Sequence, residues 1–363
     1  MTINIGVDLH KTQFTVYARI GDGMYGKYRT TAEGYEQFIR QLHRWRDEGH
    51  QIRLAVESTG NTRYFKRQLT LAGYPVTVIN PLKFKVINES VKKTDRHDAA
   101  TIAEFLEKDM LPEAWLCSEQ SEELRRLLKV RQSLVRTMVS VKNQIHGLVV
   151  SLGVEDRAAS LQSKKGRQEL LDTLNRAYPG LAVHTLFETI DLLEQQVKKI
   201  EKALTDLVAQ DKVVQLLRSI PGCGLITAST IRAYTDEVRR FRTYKQYASY
   251  AGLVPWVQCS NETVHYGRIT KRGPEALRTA FVQLVLGMVR TKKKTVSYRI
   301  MQRYRGMKTE KGSGKAIIAT ARKLSKVVWF MLTTGREFDP RLMIDPKLEE
   351  KAELMRLSIA KTA

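Results

Sequence analysis

INIGVDLHKTQFTVYARIGDGMYGKYRTT, residues 3–31, decides how the N-terminal part of the chain folds. INIGVDL (3–9) and FTVYARI (14–20) are short apolar runs with β-branched residues, and GKYRTT (26–31) follows a Gly-rich turn at 21–23. Links this short join antiparallel neighbours, whereas parallel ones need a crossover of about a dozen residues or more. The chain is therefore expected to open on three antiparallel strands.

From residue 32 onward, strands alternate with helices. Helical spacing through Tyr35, Phe38, Ile39 and Leu42 predicts a helix over 32–46, RLAVE (53–57) reads as a buried strand, and 62–72 is helical again. PVTVIN (75–80) is the next strand, followed by helices near 82–89 and from about 97 to 108. The order βββαβα, then a strand and helices, is that of an RNase H-like mixed sheet. A doubly wound α/β domain is the competing reading, weaker because the first three strands lack intervening helices.

With 363 residues and 42% apolar content, the chain can bury two or three cores. Lys and Arg number 61 against 38 Asp and Glu, a formal charge of +23 that favours a polyanionic partner over a small acidic substrate. The excess is concentrated: residues 264–323 hold 16 basic residues against Glu275 and Glu310, a net +14. The apolar run at 280–289, broken by Gln283, falls far short of a membrane span, so nucleic acid is the expected partner. Cys117, Cys223 and Cys259 are too scattered for a disulfide framework or a thiolate metal knuckle. MTINIGVDLH lacks the basic-then-apolar run of a secretion signal, so a cytoplasmic, nucleoid-associated location is expected.

The middle of the chain changes period. Val183, Leu186, Ile190, Leu193, Val197, Ile200, Leu204 and Leu207 follow spacings of 3, 4, 3, 4, 3, 4 and 3, a heptad seam. A second stripe runs through Leu127, Leu134, Met138, Val141, Ile145 and Leu148, with Arg131 interrupting it. The two stripes suit a coiled coil within one chain or between chains, or two amphipathic helices of a bundle. The polar, basic segment 153–180 between them reads as a loop with a short helix.

Four acids stand out. Asp8 and Glu57 each end a predicted strand, and in an RNase H-like sheet those strands are neighbours; Asp95 and Asp98, in KKTDRHDAATIAEFL (92–106), sit three apart on one helix face. Four carboxylates from three elements suit a hard divalent cation such as Mg²⁺ or Mn²⁺. Each acid also fits a local role: Asp95 as a helix N-cap, Asp8 as a polar strand end, Glu57 as a turn acid before Ser58-Thr59-Gly60. His10 and His97 neighbour them as further ligand or proton-carrier candidates.

QLLRSIPGCGLITASTIRAYT (215–235) has the pattern of a helix-hairpin-helix, in which Gly222 and Gly224 permit a tight turn whose N–H groups can face a phosphate. A plain helix-helix turn is the alternative. In the stretch 241–283 Tyr and Trp interleave with Lys and Arg, as on a surface that stacks bases and neutralises phosphates, with Arg268, Lys271, Arg272 and Arg278 as the contact candidates. Tyr247 and Tyr250 read equally well as core. GSGK (312–315) lacks Walker spacing and reads as a basic turn before a helix at 316–333.

IGVDLHK, AVESTG and KTDRHDAATIA, in this order, resemble the DEDD tetrad of transposases from one family of bacterial insertion sequences, RNA-guided bridge recombinases with a RuvC-like N-terminal domain. GLVP, Ser260, GRITKRG and LR resemble that family's second signature, with Asn261 where the family has glycine after the serine. The resemblance implies that Asp8, Glu57, Asp95 and Asp98 bind metal and that Ser260 is the nucleophile forming a phosphoserine intermediate with DNA, Ser249 being its nearest rival. It further implies a noncoding guide RNA that pairs with donor and target DNA. The expected layout is a RuvC-like domain (1–115), a coiled-coil region (116–212), a mainly helical transposase domain (213–335) and a helical tail (336–363). A rod of about 25 residues spans about 40 Å, so a site shared between protomers of a dimer or tetramer is expected unless the chain doubles back.

Overall fold

The computed structural model describes residues 1–87, 94–154, 161, 163–174, 178–260 and 263–344. The chain divides into two compact units, Met1–Leu116 and Cys117–Ala363.

In the first unit β1 (Thr2–Leu9), β2 (Gln13–Arg19) and β3 (Met24–Arg29) form the antiparallel opening, and β4 (Gln51–Glu57) and β5 (Val76–Ile79) add in parallel. The strand order is β3-β2-β1-β4-β5, a mixed sheet that fits a RuvC-like domain. The doubly wound alternative fails because β1 and β2 run antiparallel.

Alternation along β1 assigns its two faces. Ile3, Ile5, Val7 and Leu9 join Phe38, Leu42 and Trp45 of α1 (Ala32–Asp47) and Phe65 and Leu69 of α2 (Thr62–Leu71) in one core. Each such side chain, fully buried, contributes roughly 1.5–3 kcal/mol. The other face carries Gly6 and Asp8, and beside them Ala55 and Glu57 of β4. It is covered by α3 (Pro81–Ile87) and α4 (Asp95–Glu107), with Ala55, Ile79, Phe84, Ile102 and Leu106 as its apolar cluster. The helix expected from about residue 97 begins at Asp95, because the Thr94 side chain accepts from the His97 N–H and caps it. The end of the helix expected near 82–89 falls outside the described residues.

In the second unit α5 (Glu119–Ser151), α6 (Lys164–Thr173) and α7 (Tyr178–Leu207) build an arm. Leu124 and Leu128 of α5 share a core with Leu204 of α7, whereas Val141, Ile145 and Val149 cluster with Val183, Phe187 and Ile190. The two long helices therefore pack antiparallel within one chain, on the faces that the two apolar stripes mark. Arg131, which breaks the first stripe, reaches Glu201 across the pair at 2.7 Å. Because the chain doubles back, the length of the arm does not set the separation of the segments before and after it. The inference from rod length to a site shared between protomers is thereby removed.

The rest is mostly helical: α8 (Lys212–Arg218), α9 (Leu225–Thr235), α10 (Tyr244–Tyr250), α11 (Glu275–Arg290), α12 (Lys292–Thr295), α13 (Arg299–Lys311) and α14 (Ser313–Thr334), with a hairpin of β6 (Pro255–Ser260) and β7 (Thr263–Ile269). Tyr247 is fully buried there and Tyr250 packs against the same core. The GSGK stretch forms the first turn of α14 rather than a turn before it. Of the tail expected to be helical from Arg336, Pro340–Met343 form a 3-10 turn, and 345–363 lie outside the described residues. No described helix is long and apolar enough to cross a membrane.

Candidate metal and nucleic-acid sites

Asp8 and Glu57 come together because β1 and β4 pair in parallel with Val7 opposite Val56, which sets the next residue of each strand side by side on the α4 face. Asp95 and Asp98, in the first turn of α4, meet them because the helix lies almost on the sheet. A Cβ on Gly6 would sit 2.0 Å from the Ala99 carbonyl oxygen and 2.5 Å from the Ala103 nitrogen. Only glycine at position 6, backed by its register partner Ala55, permits that approach. Three elements thus deliver four carboxylates to one edge of the sheet.

The electrostatics bear the marks of that crowding. Burial pushes the Asp8 carboxyl above its usual range; the neighbouring His10 opposes the shift, while Asp95 and Asp98 add to it. Burial likewise raises Glu57, with Asp8 and Asp98 reinforcing the effect. Gathering ionised carboxylates without a counter-charge is costly. Hard oxygen donors in this arrangement are what a divalent cation takes, and an ion there offsets both the burial and the added repulsion that raise the two groups. Among the described residues Asp8, His10 and Asp95 offer ligand atoms all within 4.8 Å of one another. His10 Nε2 lies 3.0 Å from Asp8 Oδ2 and 3.4 Å from Asp95 Oδ1.

Asp95 is not the helix cap, since Thr94 performs that role. Sequence reasoning missed the residues that hold the site in place. The Asn61 amide donates to the His10 carbonyl at 2.8 Å, and the Thr62 hydroxyl, in a residue only 1% exposed, donates to the Glu57 carbonyl at 2.9 Å. Thr62 Oγ1 also accepts from the Thr59 N–H at 2.7 Å. The turn STGNT after Glu57 therefore ties the ends of β4 and β1 together, a signal present in its run of short hydrogen-bonding side chains.

In the second unit Ser260 is the last residue of β6, paired with Thr263 at the tip of the hairpin. Asn261 lies outside the described residues. The hairpin stands out into solvent, with Trp256 52% and Tyr266 73% exposed. Ser249, the rival serine, is exposed on α10.

A groove of about 1050 Å³ runs beside this hairpin between α10, β7 and α14. Arg268 and Lys271 line it as two of the expected contacts, joined by Tyr244, Lys245, Lys315, Arg322, Lys323 and Lys326, and no acid among the described residues lines it. Lys326 stands over the Tyr244 ring at 4.9 Å. Lys315, Arg322 and Lys323 belong to the basic stretch 264–323, but only the helix turns them, with Lys326, to one side as contact candidates. Arg272 is exposed just outside the groove; Arg278 instead spends a guanidinium N–H on the Lys271 carbonyl at 3.1 Å, holding a turn in which Lys271 has φ +52°.

Gly222 has a packing reason of its own. At φ +82° it lies against Gly287 of α11, and a Cβ there would meet that backbone at 2.3 Å. Gly224 precedes α9 as its cap residue with open space around it. Asp211 caps α8 through the Val213 and Val214 N–H groups and accepts from Arg232 of α9 at 3.0 Å, which locks the two helices around the turn.

Comparison with known proteins matches these two regions separately. Residues 5–153, which include the four acids, match a DEDD-type IS110 transposase domain, and residues 214–299, which include Ser260, match the family described as "Transposase IS116/IS110/IS902 family". A "Probable family 20 transposase" of Pseudomonas aeruginosa is 27% identical over 354 residues, 93% of this chain and 98% of the relative. The transposase for insertion sequence element IS1328 of Yersinia enterocolitica is 26% identical, covering 92% and 98%. A "Pilin gene-inverting protein" of Moraxella bovis is 25% identical, covering 93% and 98%. Both domain matches lie in order along the chain, and these relatives cover 92–93% of it. The chain therefore belongs to the IS116/IS110/IS902 family of transposases, enzymes that cleave and transfer DNA strands.

Proposed function

We propose that this transposase cuts and rejoins DNA through a phosphoserine intermediate made by Ser260, with Mg²⁺ held by Asp8, Glu57, Asp95 and Asp98. The observation that carries the reading is the convergence of those four carboxylates on one sheet edge. The Ser260 hydroxyl oxygen would attack a DNA phosphorus, forming a serine phosphodiester as the bond to the leaving DNA hydroxyl breaks. A hydroxyl of the recipient strand then displaces the serine, so one phosphoester is exchanged for another without water. When bound, the cation supplies charge for the attacking and leaving oxygens. Asp8, Glu57, Asp95 and Asp98 hold it, and His10, Asn61 and Thr62 keep the acids in register.

The basic groove with Lys315, Arg322, Lys323 and Lys326 supports binding of a nucleic-acid backbone. Gly222 and Gly224, in a helix-hairpin-helix, would add phosphate contacts. The α5–α7 arm, as a coiled coil, serves as the device that spaces or pairs protomers. A noncoding guide RNA, a dimer or tetramer with composite sites, and action at the nucleoid complete the reading on family grounds.

The test is a covalent adduct. Full-length protein incubated with its insertion-sequence ends and copurified RNA should give DNA that enters a gel only after protease treatment, and Ser260→Ala should abolish it. Adduct-free cleavage by the wild-type protein refutes the phosphoserine.

A further inference from the structure

We propose that His10 is itself a ligand of the cation held by Asp8 and Asp95, so that the site carries a nitrogen donor among its carboxylates and favours Mn²⁺, which accepts imidazole more readily, over Mg²⁺. The inference rests on the metal reading above and adds to it the identity of the ion.

Geometry is the first argument. An ion with ligand distances of about 2.1 Å places neighbouring ligand atoms about 3.0 Å apart and opposite ones about 4.2 Å apart. His10 Nε2 lies 3.0 Å from Asp8 Oδ2 and 3.4 Å from Asp95 Oδ1. These are the separations of neighbouring ligands around a single centre. The imidazole thus bridges a carboxylate of β1 and a carboxylate of α4.

The second argument is how the imidazole is held. The His10 N–H donates to the Gln13 carbonyl at 2.9 Å and its own carbonyl accepts from Asn61 at 2.8 Å. Thr30 pins the next two residues, its hydroxyl donating to the Lys11 carbonyl at 2.9 Å and its N–H to the Thr12 carbonyl at 3.0 Å. A loop clamped at three successive residues is the scaffold a ligand needs to keep its aim. The ring is 47% exposed, and an ion pair that open to water contributes little to stability. Pairing alone therefore gives no reason for so rigid a mount.

The consequence for metal choice follows from donor chemistry. First-row transition ions, Mn²⁺ the weakest among them, take an imidazole nitrogen more readily than Mg²⁺, which is matched by oxygen ligands and water. A site with one nitrogen keeps room for Mg²⁺ but gains more from Mn²⁺.

The experiment uses the full-length protein loaded with Mn²⁺ and read by pulsed electron paramagnetic resonance, with Kd values for Mn²⁺ and Mg²⁺ from calorimetry. Wild type should show nitrogen modulation of the Mn²⁺ echo. His10→Gln should lose it and weaken Mn²⁺ binding by about tenfold or more, while the Mg²⁺ Kd moves less; His50→Gln, just before β4 at the end away from Glu57, should leave both unchanged. Should His10→Gln unfold, Asn61→Ala, which frees the same loop, should weaken the modulation in a folded protein. Bound Mn²⁺ without nitrogen modulation in wild type, or modulation that survives His10→Gln, overturns the ligand assignment and leaves the acid site intact. A wild-type protein that binds neither ion overturns both.

Discussion

Gly6→Ala is the most informative substitution in the metal-binding unit, because it changes neither charge nor any ligand. A Cβ at position 6 would lie 2.0 Å from the Ala99 oxygen, 2.5 Å from the Ala103 nitrogen and 2.9 Å from Ile102 Cβ. Two of these are backbone atoms, so no rotamer relieves the overlap. Helix α4 must withdraw by about 1 Å simply to bring the shortest contact to 3.0 Å. Overpacking of this kind costs about 1–3 kcal/mol. Asp95 and Asp98 travel with the helix while Asp8 and Glu57 stay on the sheet, so the carboxylate cluster opens. A misplacement of about 1 Å in a catalytic constellation lowers the rate by about 100-fold. The assays are thermal unfolding, calorimetric titration with Mg²⁺ and Mn²⁺, and strand cleavage, with Gly60→Ala as control because nothing lies within 4 Å of the Cβ it would gain. A Gly6→Ala protein with wild-type stability, cation affinity and cleavage within about threefold would refute the claim that this approach sets the site.

Three further outcomes follow from the same structure. Asp8 and Glu57 have folded-state pKa values raised above their ordinary ones, so in the metal-free protein their contribution to stability is most favourable below those ordinary values and is lost as pH rises through the raised ones. Saturating divalent cation should flatten that decline, and Asp8→Asn should abolish cleavage while raising the metal-free melting temperature by a margin over wild type that grows as pH rises through the window; a margin that shrinks with rising pH would contradict this. In the arm, Glu201→Ala leaves Arg131, only 21% exposed, without its partner, which should cost about 1–2 kcal/mol in urea unfolding, and the double change Arg131→Leu with Glu201→Leu should recover most of it. In the groove, Lys323→Ala should weaken DNA binding across unrelated sequences and lower the slope of log affinity against log salt by about 1, whereas a sequence-selective loss would mean base contact instead.

Local pattern alone determined much of this protein. The three-strand opening, the α1, α2 and β4 segments and the inward faces of the two long helices are all set by periods of two or about 3.6, which a window of residues carries in full. The four acids were legible for a related reason: each ends or begins an element, and the element type dictates the edge it reaches. What tertiary structure decided is whatever depends on distance between elements. Which way the arm pairs could not be read from two compatible stripes; the core positions at their ends, Leu124 against Leu204 and Val149 against Val183, select the antiparallel return within one chain. Gly222 reads in sequence only as a turn glycine; that the missing Cβ also lets Gly287 of α11 pack against it is decided by the fold. Lys315, Arg322, Lys323 and Lys326 form a groove wall only after α14 packs beside the hairpin. His10 sat in plain view next to Asp8, yet its contact with Asp95, 85 residues on, exists only because a glycine lets a helix settle onto the sheet. Contacts of that kind depend on three-dimensional closeness, which sequence spacing does not encode.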